Sequence, residues 1–587
     1  ARAAIFTGHS EEMDSEGGVM YQRLQQGLEQ APKRLRLREH DPSSWLRVEA
    51  ALDPLDPDAA YHAGLLSSLR DLGANVSVLW AVQKTVALPI TKFTRFRVAD
   101  GSSKGAQFGT IRTEATLSLH LRHPAEWQVS QRQAVVDLEN IREADARKAD
   151  GRVDAVIELS GLWYEGRVSV AGRREPAAGL QIELSPQHSS TPVTETRVMQ
   201  NLGYFALAAS PGAYHLALKP GPSNDTFRLR NSYVGLATWT PTNVKHTVSL
   251  RKGKKVSDVF LKTYGSKAGS SAQDQPGDEE LPTVHIFSVA SGHAYERLVG
   301  VMLTSVRKHT KCKVHVWMLD QFLSPSFKNV QIPALSKSLN FEYHFVSYKW
   351  PSWLMEEDGE QIGIRGDKQR LIWAYKILFL DVLFPLRVDR IIFLDSDIVV
   401  RADVRELWEM DMQGHAYGFV PFCHGTHEDP ITHRPIPRAN NNTLGYRFWE
   451  SGFWKSHLGG APYHISALFV VDLGEFRRQS LGDTLRSTYQ SLGRGEDSLS
   501  NLDQDLPNYV QVHEPIFSLP QEWLWCESWC SDEIKPLAKA IDLCQNPQTK
   551  EPKMEMAKRV IAEWEDHDTH REAVVSAGIG GSEKLEL

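Results

Sequence analysis

The sequence lacks any apolar run long enough to cross a membrane. A spanning helix needs roughly 18–20 uninterrupted apolar residues, and the best candidate, Ile377 to Leu386, is short and carries Asp381. Blocks of lysine or arginine are missing as well. With 66 basic against 73 acidic residues the formal net charge is −7, so no basic stripe marks a nucleic-acid binder. Cysteine is scarce, five in 587 residues. Cys526, Cys530 and Cys544 crowd one region, while Cys312 and Cys423 stand apart. No histidine lies among the crowded three, which argues against a four-ligand zinc site and for a disulfide or buried thiols. An odd count leaves at least one thiol unpaired or reaching outside this sequence. The chain starts at Ala1 without a charged-then-apolar leader, which we read as a truncated or processed product.

Apolar residues make up 41% and charged residues 24%, near the globular average, and the length implies two to four domains. Residues 1–45 are polar, with helical spacing around Met20 to Leu28, and read as the remnant of a preceding domain. Residues 46–149 read as a mixed α/β region with part of a first β-sandwich. In it, Leu65, Leu66, Leu69 and Leu72 predict an amphipathic helix over Asp58 to Leu72, stopped by Gly73, with a strand over Val76 to Ala81. Over 150–262 the signal turns to short strands at Ala155–Leu159, Leu180–Leu184, Gly203–Leu207 and Tyr214–Leu218, separated by Gly, Pro and Asn. Their spacing predicts a second β-sandwich. Residues 263–281 read as a flexible acidic linker. From 282 to 567 strands alternate with helices: Val284–Val289, Glu296–Arg307, Val314–Leu319, Arg370–Leu380 and Ile391–Leu394. That alternation predicts a doubly wound α/β sheet, with ligands at the carboxyl ends of its strands. A tail, 568–587, completes the chain.

The strongest local signal is Ile391-Ile392-Phe393-Leu394-Asp395-Ser396-Asp397. Four apolar residues make a buried strand, and two carboxylates follow it. Residues two apart on an extended chain share a side, so both can reach one cation, and their hard oxygens suit Ca²⁺, Mg²⁺ or Mn²⁺.

Five motifs in order resemble the catalytic domain of UDP-glucose:glycoprotein glucosyltransferases: Phe287 to Glu296, Tyr375 to Pro385, Tyr463 to Leu468, Asn501 to Asn508 and Ser518 to Cys526. The stretch Val198 to Phe205 is similar to a segment of that family's second β-sandwich. The resemblance implies an α/β nucleotide-diphospho-sugar transferase domain of the GT-A type preceded by β-sandwich domains. It implies retaining transfer of glucose from UDP-glucose to high-mannose N-glycans of misfolded glycoproteins in the endoplasmic reticulum lumen. By position, Asp395, Asp397 and Asp542 are implied metal ligands, with Ca²⁺ first and Mn²⁺ as the alternative. Asp503 and Gln504 would grip the glucose hydroxyls, and Lys376 would lie near the donor phosphates. Ser288, Ala290, Tyr295, Ser396, Ser466 and Leu543 would touch the donor, and Phe453 and Trp454 would border the acceptor. Implied partners are misfolded glycoproteins and a small luminal selenoprotein-type or other redox protein.

Each residue also has a plainer reading. Lys376 can be a lysine snorkelling off a helix, Asp503 a cap for the next turn, and Tyr295 a core aromatic. The stretch His424 to Gly445 looks longer than the family's usual connection. Its His424, His427 and His433 read as a polar surface loop rather than a metal site. Asn75, Asn224 and Asn441 open N-glycosylation tripeptides, and Lys584-Leu585-Glu586-Leu587 resembles a luminal retrieval signal with Leu in place of Asp. A glycogenin-like retaining transferase and a non-catalytic glycoprotein-binding module stay open as alternatives.

Overall fold

A computed structural model of the chain divides into two compact units, residues 1–130 with 135–162 and residues 131–134 with 163–587. It describes residues 46–52, 59–71, 73–80, 116–117, 123–134, 138, 141–142 and 155–582. The last stretch has gaps at 174, 190, 231–232, 238–243, 258, 260–280, 355–367, 430, 493–498, 546–548 and 550. The expected helix near Met20, the acidic linker and the retrieval-like end lie outside the described residues.

In the first unit β1 (Arg47–Leu52) and β2 (Asn75–Trp80) pair in parallel, joined through α1 (Ala59–Asp71). Gly73, at φ 91°, ends the helix with its N–H on the Arg70 carbonyl, a left-handed position that costs glycine nothing. Leu52, Leu66, Val76 and Val78 form the small core. Asn75 corrects one expectation: it sits inside β2 and is buried, so the folded chain does not present it as a glycan acceptor. Asn224 and Asn441 are exposed.

The second unit contains three larger sheets. In one, β4 (Gln181–Pro186) lies between β5 (Thr194–Arg197) and β7 (Gly212–Leu218), and β9 (Tyr233–Leu236) completes the order β9-β7-β4-β5. The period-two pattern read from the sequence is realised here, with Leu180, Ile182 and Leu184 buried. In another, β10 (Val244–Leu250) lies between β8 (Phe227–Leu229) and the second-unit part, from Trp163 on, of β3 (Ala155–Val170), and β6 (Tyr204–Ala209) also pairs β3.

The largest sheet has seven strands. Its order is β13 (Glu342–Val346), β12 (Lys313–Leu319), β11 (Thr283–Ser288), β14 (Arg390–Leu394), β17 (His464–Asp472), β16 (Tyr417–Pro421) and β18 (Phe517–Ser518). The first four run parallel, whereas β17 is antiparallel to both neighbours. The sheet is therefore mixed rather than uniformly parallel. The first eight residues of β17 are all buried, and such continuous burial gives no clue to strand direction. One face packs Phe287, Phe393 and Phe469 against α3 (Lys368–Leu378), α4 (Leu380–Leu383), α5 (Leu481–Leu492) and α6 (Leu502–Val510). The other packs Ile286, Val316 and Ile392 against α2 (His293–His309). Helices thus cover both faces, as the alternation of elements predicts. Each fully buried aliphatic or Phe side chain contributes about 1.5–3 kcal/mol.

Two further ties matter. Cys423 and Cys530 form a disulfide across 107 residues, and Cys312, Cys526 and Cys544 are free thiols. Arg197, from β5, enters a buried ionic cluster with Asp381, Asp483 and Arg486 from α4 and α5, which fastens the β9-β7-β4-β5 sheet to the helices of the seven-stranded domain.

Candidate active site

At the carboxyl end of β14 the chain leaves the sheet through Asp395-Ser396-Asp397. The pair does not lie on an extended strand. Ile398 N–H bonds to the Asp395 carbonyl at 3.2 Å, closing a turn before β15 (Ile398–Val400). The two carboxylates consequently meet different neighbours.

Asp395 meets Lys376, whose Nζ donates to its two oxygens at 3.2 and 3.1 Å. The same Nζ stands 2.8 Å from Asp503 Oδ2 and 4.3 Å from the centre of the Phe393 ring. Lys376 is 2% exposed, so it does not snorkel. Burial works against its charge, but Asp395 and Asp503 outweigh that and raise its pKa. Asp503 in turn accepts from Ser466 Oγ at 2.8 Å, and Ser466 N–H points at Gln504 Oε1 at 3.4 Å. Asp503 is therefore not the cap of its helix. The N-cap of that helix is Asn501, which makes no side-chain cap bond and whose own N–H donates to Asp505 at 2.8 Å.

Asp397 meets Lys553, an ion pair that opens α7 (Lys553–Val560). Lys553 Nζ also lies 5.5 Å from the centre of the Tyr295 ring. Tyr295 is 39% exposed, not a core aromatic. β15 pairs antiparallel with β19 (Ala540–Asp542), which sets Ile398 opposite Asp542, and Leu543 N–H bonds to the Asp397 carbonyl at 3.3 Å. Asp542, far from Asp395 in the chain and invisible to composition, thus arrives beside the turn. Burial and the repulsion of neighbouring carboxylates push both Asp395 and Asp542 up to about 7.

Three carboxylates lie around one turn, Asp397 and Asp542 buried and Asp395 partly so, with Asp395 and Asp397 paired to different lysines. Carboxylate oxygens are of the donor type that suits a hard divalent cation, whose charge would relieve that repulsion.

Ser288, at the end of β11, is fully buried and donates its hydroxyl to the Leu394 carbonyl at 2.7 Å, so its side chain ties strands together. Ala290, Ser396 and Leu543 are buried. Phe453 is exposed and stacks on His457 and Tyr509. With Trp454, Phe448, Leu499, Tyr509 and Asp505 it lines a cavity of about 350 Å³. Two contributors escaped the sequence reading. Lys553 looks like any first-turn lysine. Tyr463, which donates to Asp505 and accepts from Gln504 Nε2 at 3.3 Å, reads as an ordinary core aromatic. Of the loop histidines, His433 pairs with Glu428 in the open, next to a short hairpin, Thr426–Glu428 with Pro435–Pro437.

Comparison with known proteins places the chain in a family. Residues 284–574 match the family model for Glucosyltransferase 24, and residues 165–273 match that for UDP-glucose:Glycoprotein Glucosyltransferase. The chain thus carries a glucosyltransferase domain. It is 40% identical over 573 residues to UDP-glucose:glycoprotein glucosyltransferase 1 of Mus musculus, covering 91% of this chain and 35% of that protein. It is 40% identical over 568 residues to the Drosophila melanogaster UDP-glucose:glycoprotein glucosyltransferase, covering 90% and 35%. The chain belongs to the UDP-glucose:glycoprotein glucosyltransferase family. It spans about a third of the length of the curated relatives it matches. Among solved structures, the galactosyltransferase LgtC with donor and acceptor sugar analogues aligns at a TM-score of 0.32 and 16% identity, covering 48% of this chain and 100% of LgtC.

Proposed function

We propose that this chain transfers glucose, with retention, from UDP-glucose to high-mannose N-glycans of misfolded glycoproteins in the endoplasmic reticulum lumen. The observation that carries the reading is the convergence of Asp395, Asp397 and Asp542 at the carboxyl end of β14, with Lys376 and Lys553 against them. The names of the relatives support the donor and the glycoprotein acceptor. No helix among the described residues is long and apolar enough to cross a membrane. The β9-β7-β4-β5 sheet and the β3-containing sheet serve as the β-sandwich before a GT-A domain.

Asp395, Asp397 and Asp542 would hold the divalent cation, Ca²⁺ in first place. When bound, it supplies positive charge to the departing diphosphate. Tyr295, half open beside Lys553, offers a face to the uracil, with Ser288 and Ala290 lending backbone groups. Lys376 holds Asp395 and Asp503 in fixed relation, so the carboxylate that grips the glucose hydroxyls cannot drift from the phosphate end. Gln504 and Ser466 complete that grip. Asp503 is engaged by Lys376 and Ser466 and acts by positioning. The proton of the attacking mannose hydroxyl passes to the leaving phosphate oxygen on the same face. Fixed donors and charges of this kind cost no reorganisation during reaction. Phe453 and Trp454 form the acceptor shelf.

Replacing Asp397 with Ala tests the reading. Glucose transfer from UDP-glucose to a denatured glycoprotein should fall at least about a hundredfold, in line with the loss of a principal charge stabiliser. Transfer at the parental rate would overturn it.

A further inference from the structure

Two of the three free thiols lie together, and they lie on Asp542. Residues 525–526 run beside β19: Trp525 N–H bonds to the Ala540 carbonyl and Asp542 N–H to the Trp525 carbonyl, both at 2.9 Å. That pairing carries Cys526 alongside Cys544, whose carbonyl is held by Ser528 Oγ at 3.3 Å. Cys544 Sγ donates to Asp542 Oδ2 at 2.7 Å. One ligand atom each from Cys526, Asp542 and Cys544 lies within 4.8 Å of the others. Cys526 and Asp542 are buried, and Cys544 is half-buried, which leaves a way in. Cys530, the next thiol along, is committed to Cys423.

We propose that Cys526, Cys544 and Asp542 form a binding site for a soft divalent metal of the zinc class, abutting the hard-ion cluster and sharing a carboxylate with it. Two sulfurs and one oxygen suit zinc, which binds thiolates closely and accepts three protein ligands with water in the fourth position. Calcium and magnesium prefer oxygen alone. On binding, each thiol gives its proton to solvent, two metal–sulfur bonds and one metal–oxygen bond form, and nothing is oxidised or reduced. The positive charge of Lys553, paired to Asp397, offsets part of the negative charge gathered there. Because Asp542 serves both clusters, a soft ion on the sulfur side draws its carboxylate from the side of Asp395 and Asp397. Zinc then antagonises the hard ion. This antagonism rests on the proposed glucosyltransferase reading; the sulfur site itself does not.

The test uses the full chain, reduced and freed of metal, titrated with cadmium as a spectroscopic stand-in and then with zinc. One cadmium per chain should give a sulfur-to-metal charge-transfer band that zinc displaces. Cys544→Ser and Cys526→Ser should each weaken cadmium binding about tenfold or more, and Cys312→Ser should not. In the parental chain cadmium should shield Cys526 and Cys544 together from alkylation, a measurement that needs no variant to fold. No charge-transfer band, a band that persists unchanged in Cys544→Ser, or no shielding would overturn the proposal. So would a single free thiol in the unreduced, unfolded chain, since the pair would then be a disulfide. The band reads sulfur alone, so its failure is separate from any failure of glucose transfer. Zinc inhibition of transfer that is relieved in Cys544→Ser supports the shared carboxylate, and equal inhibition in both refutes the sharing.

Discussion

Replacing Asp381 with Asn should loosen the junction between the Arg197 strand and helix α5. Arg486 forms a fork on Asp381 at 2.8 and 3.0 Å, reaches Asp483 at 2.9 Å, and caps the Leu378 carbonyl at 2.7 Å. Arg197 approaches Asp381 and Asp483 at 3.7 and 3.8 Å. Asp381, Arg197 and Arg486 have no exposed side-chain surface. Arg197 and Arg486 face Asp381 and Asp483 inside the protein, with Arg477 behind them, so a neutral amide in place of the Asp381 carboxylate would remove half of the negative charge facing these guanidiniums at nearly constant volume. Breaking a buried pair in this way costs about 3–5 kcal/mol. At about 1.4 kcal/mol per factor of ten, amide exchange in Leu481–Leu492 should speed up roughly a hundred- to several-thousandfold. Burial alone would raise the pKa of Asp381, but Arg486, with Arg197 and Arg477 behind it, lowers it. Its contribution is therefore complete above the unfolded value, about 4, and disappears only as pH falls through the lower folded value. The gap between parent and variant should stay constant from neutral pH to about 5 and close below about 4. Replacing Asp381 with Leu and Arg486 with Met together should recover most of the loss, because apolar groups of similar volume need no partner. A gap below about 1 kcal/mol, or one that closes well above pH 4, would refute the electrostatic account.

Gly482→Ala should also disturb this cluster: a Cβ there would meet Asp381 Oδ1 at 2.6 Å, and thermal unfolding should register a loss of about 1–3 kcal/mol. Cys423→Ser removes a bridge spanning 107 residues, and a loss of about 2–5 kcal/mol should appear as a lowered unfolding midpoint that reductant reproduces in the parent. Ser466→Ala deletes the 2.8 Å bond to Asp503; transfer should fall about ten- to a hundredfold in kcat/KM while the unfolding midpoint barely moves. Burial of the His464 imidazole pushes its pKa down to about 4, so the folded chain excludes a proton that the unfolded chain binds below about 6.5. Stability from this group is complete above about 6.5 and falls by about 3 kcal/mol as pH drops toward 4. His464→Gln should flatten that part of the pH profile.

Much of the architecture was legible because the local signals agree with the tertiary ones. The buried run before Asp395, the alternation at Leu180, Ile182 and Leu184, and the stop at Gly73 each report their own backbone state. What escaped depends on distant pairing. Asp542 looks like a loop acid until β19 pairs with β15. Lys553 reveals its place only once α7 lies over the Asp397 turn. The turn itself was misjudged, because an Asp-x-Asp spacing suggests one shared side whereas the Ile398-to-Asp395 bond sends the two acids to different lysines. Asn75 fits the glycosylation tripeptide, yet its strand is sealed by α1 and β1. The direction of β17 was hidden because burial on both faces removes the alternation that reports orientation.

Calorimetric titration of UDP-glucose into the metal-stripped chain, with and without Ca²⁺, for the parent and for Asp542→Asn, tests the central claim most directly. The account predicts that tight donor binding requires the ion and that the substitution weakens ion binding about tenfold or more. Donor binding that ignores the ion, or that is unchanged in Asp542→Asn, would contradict it.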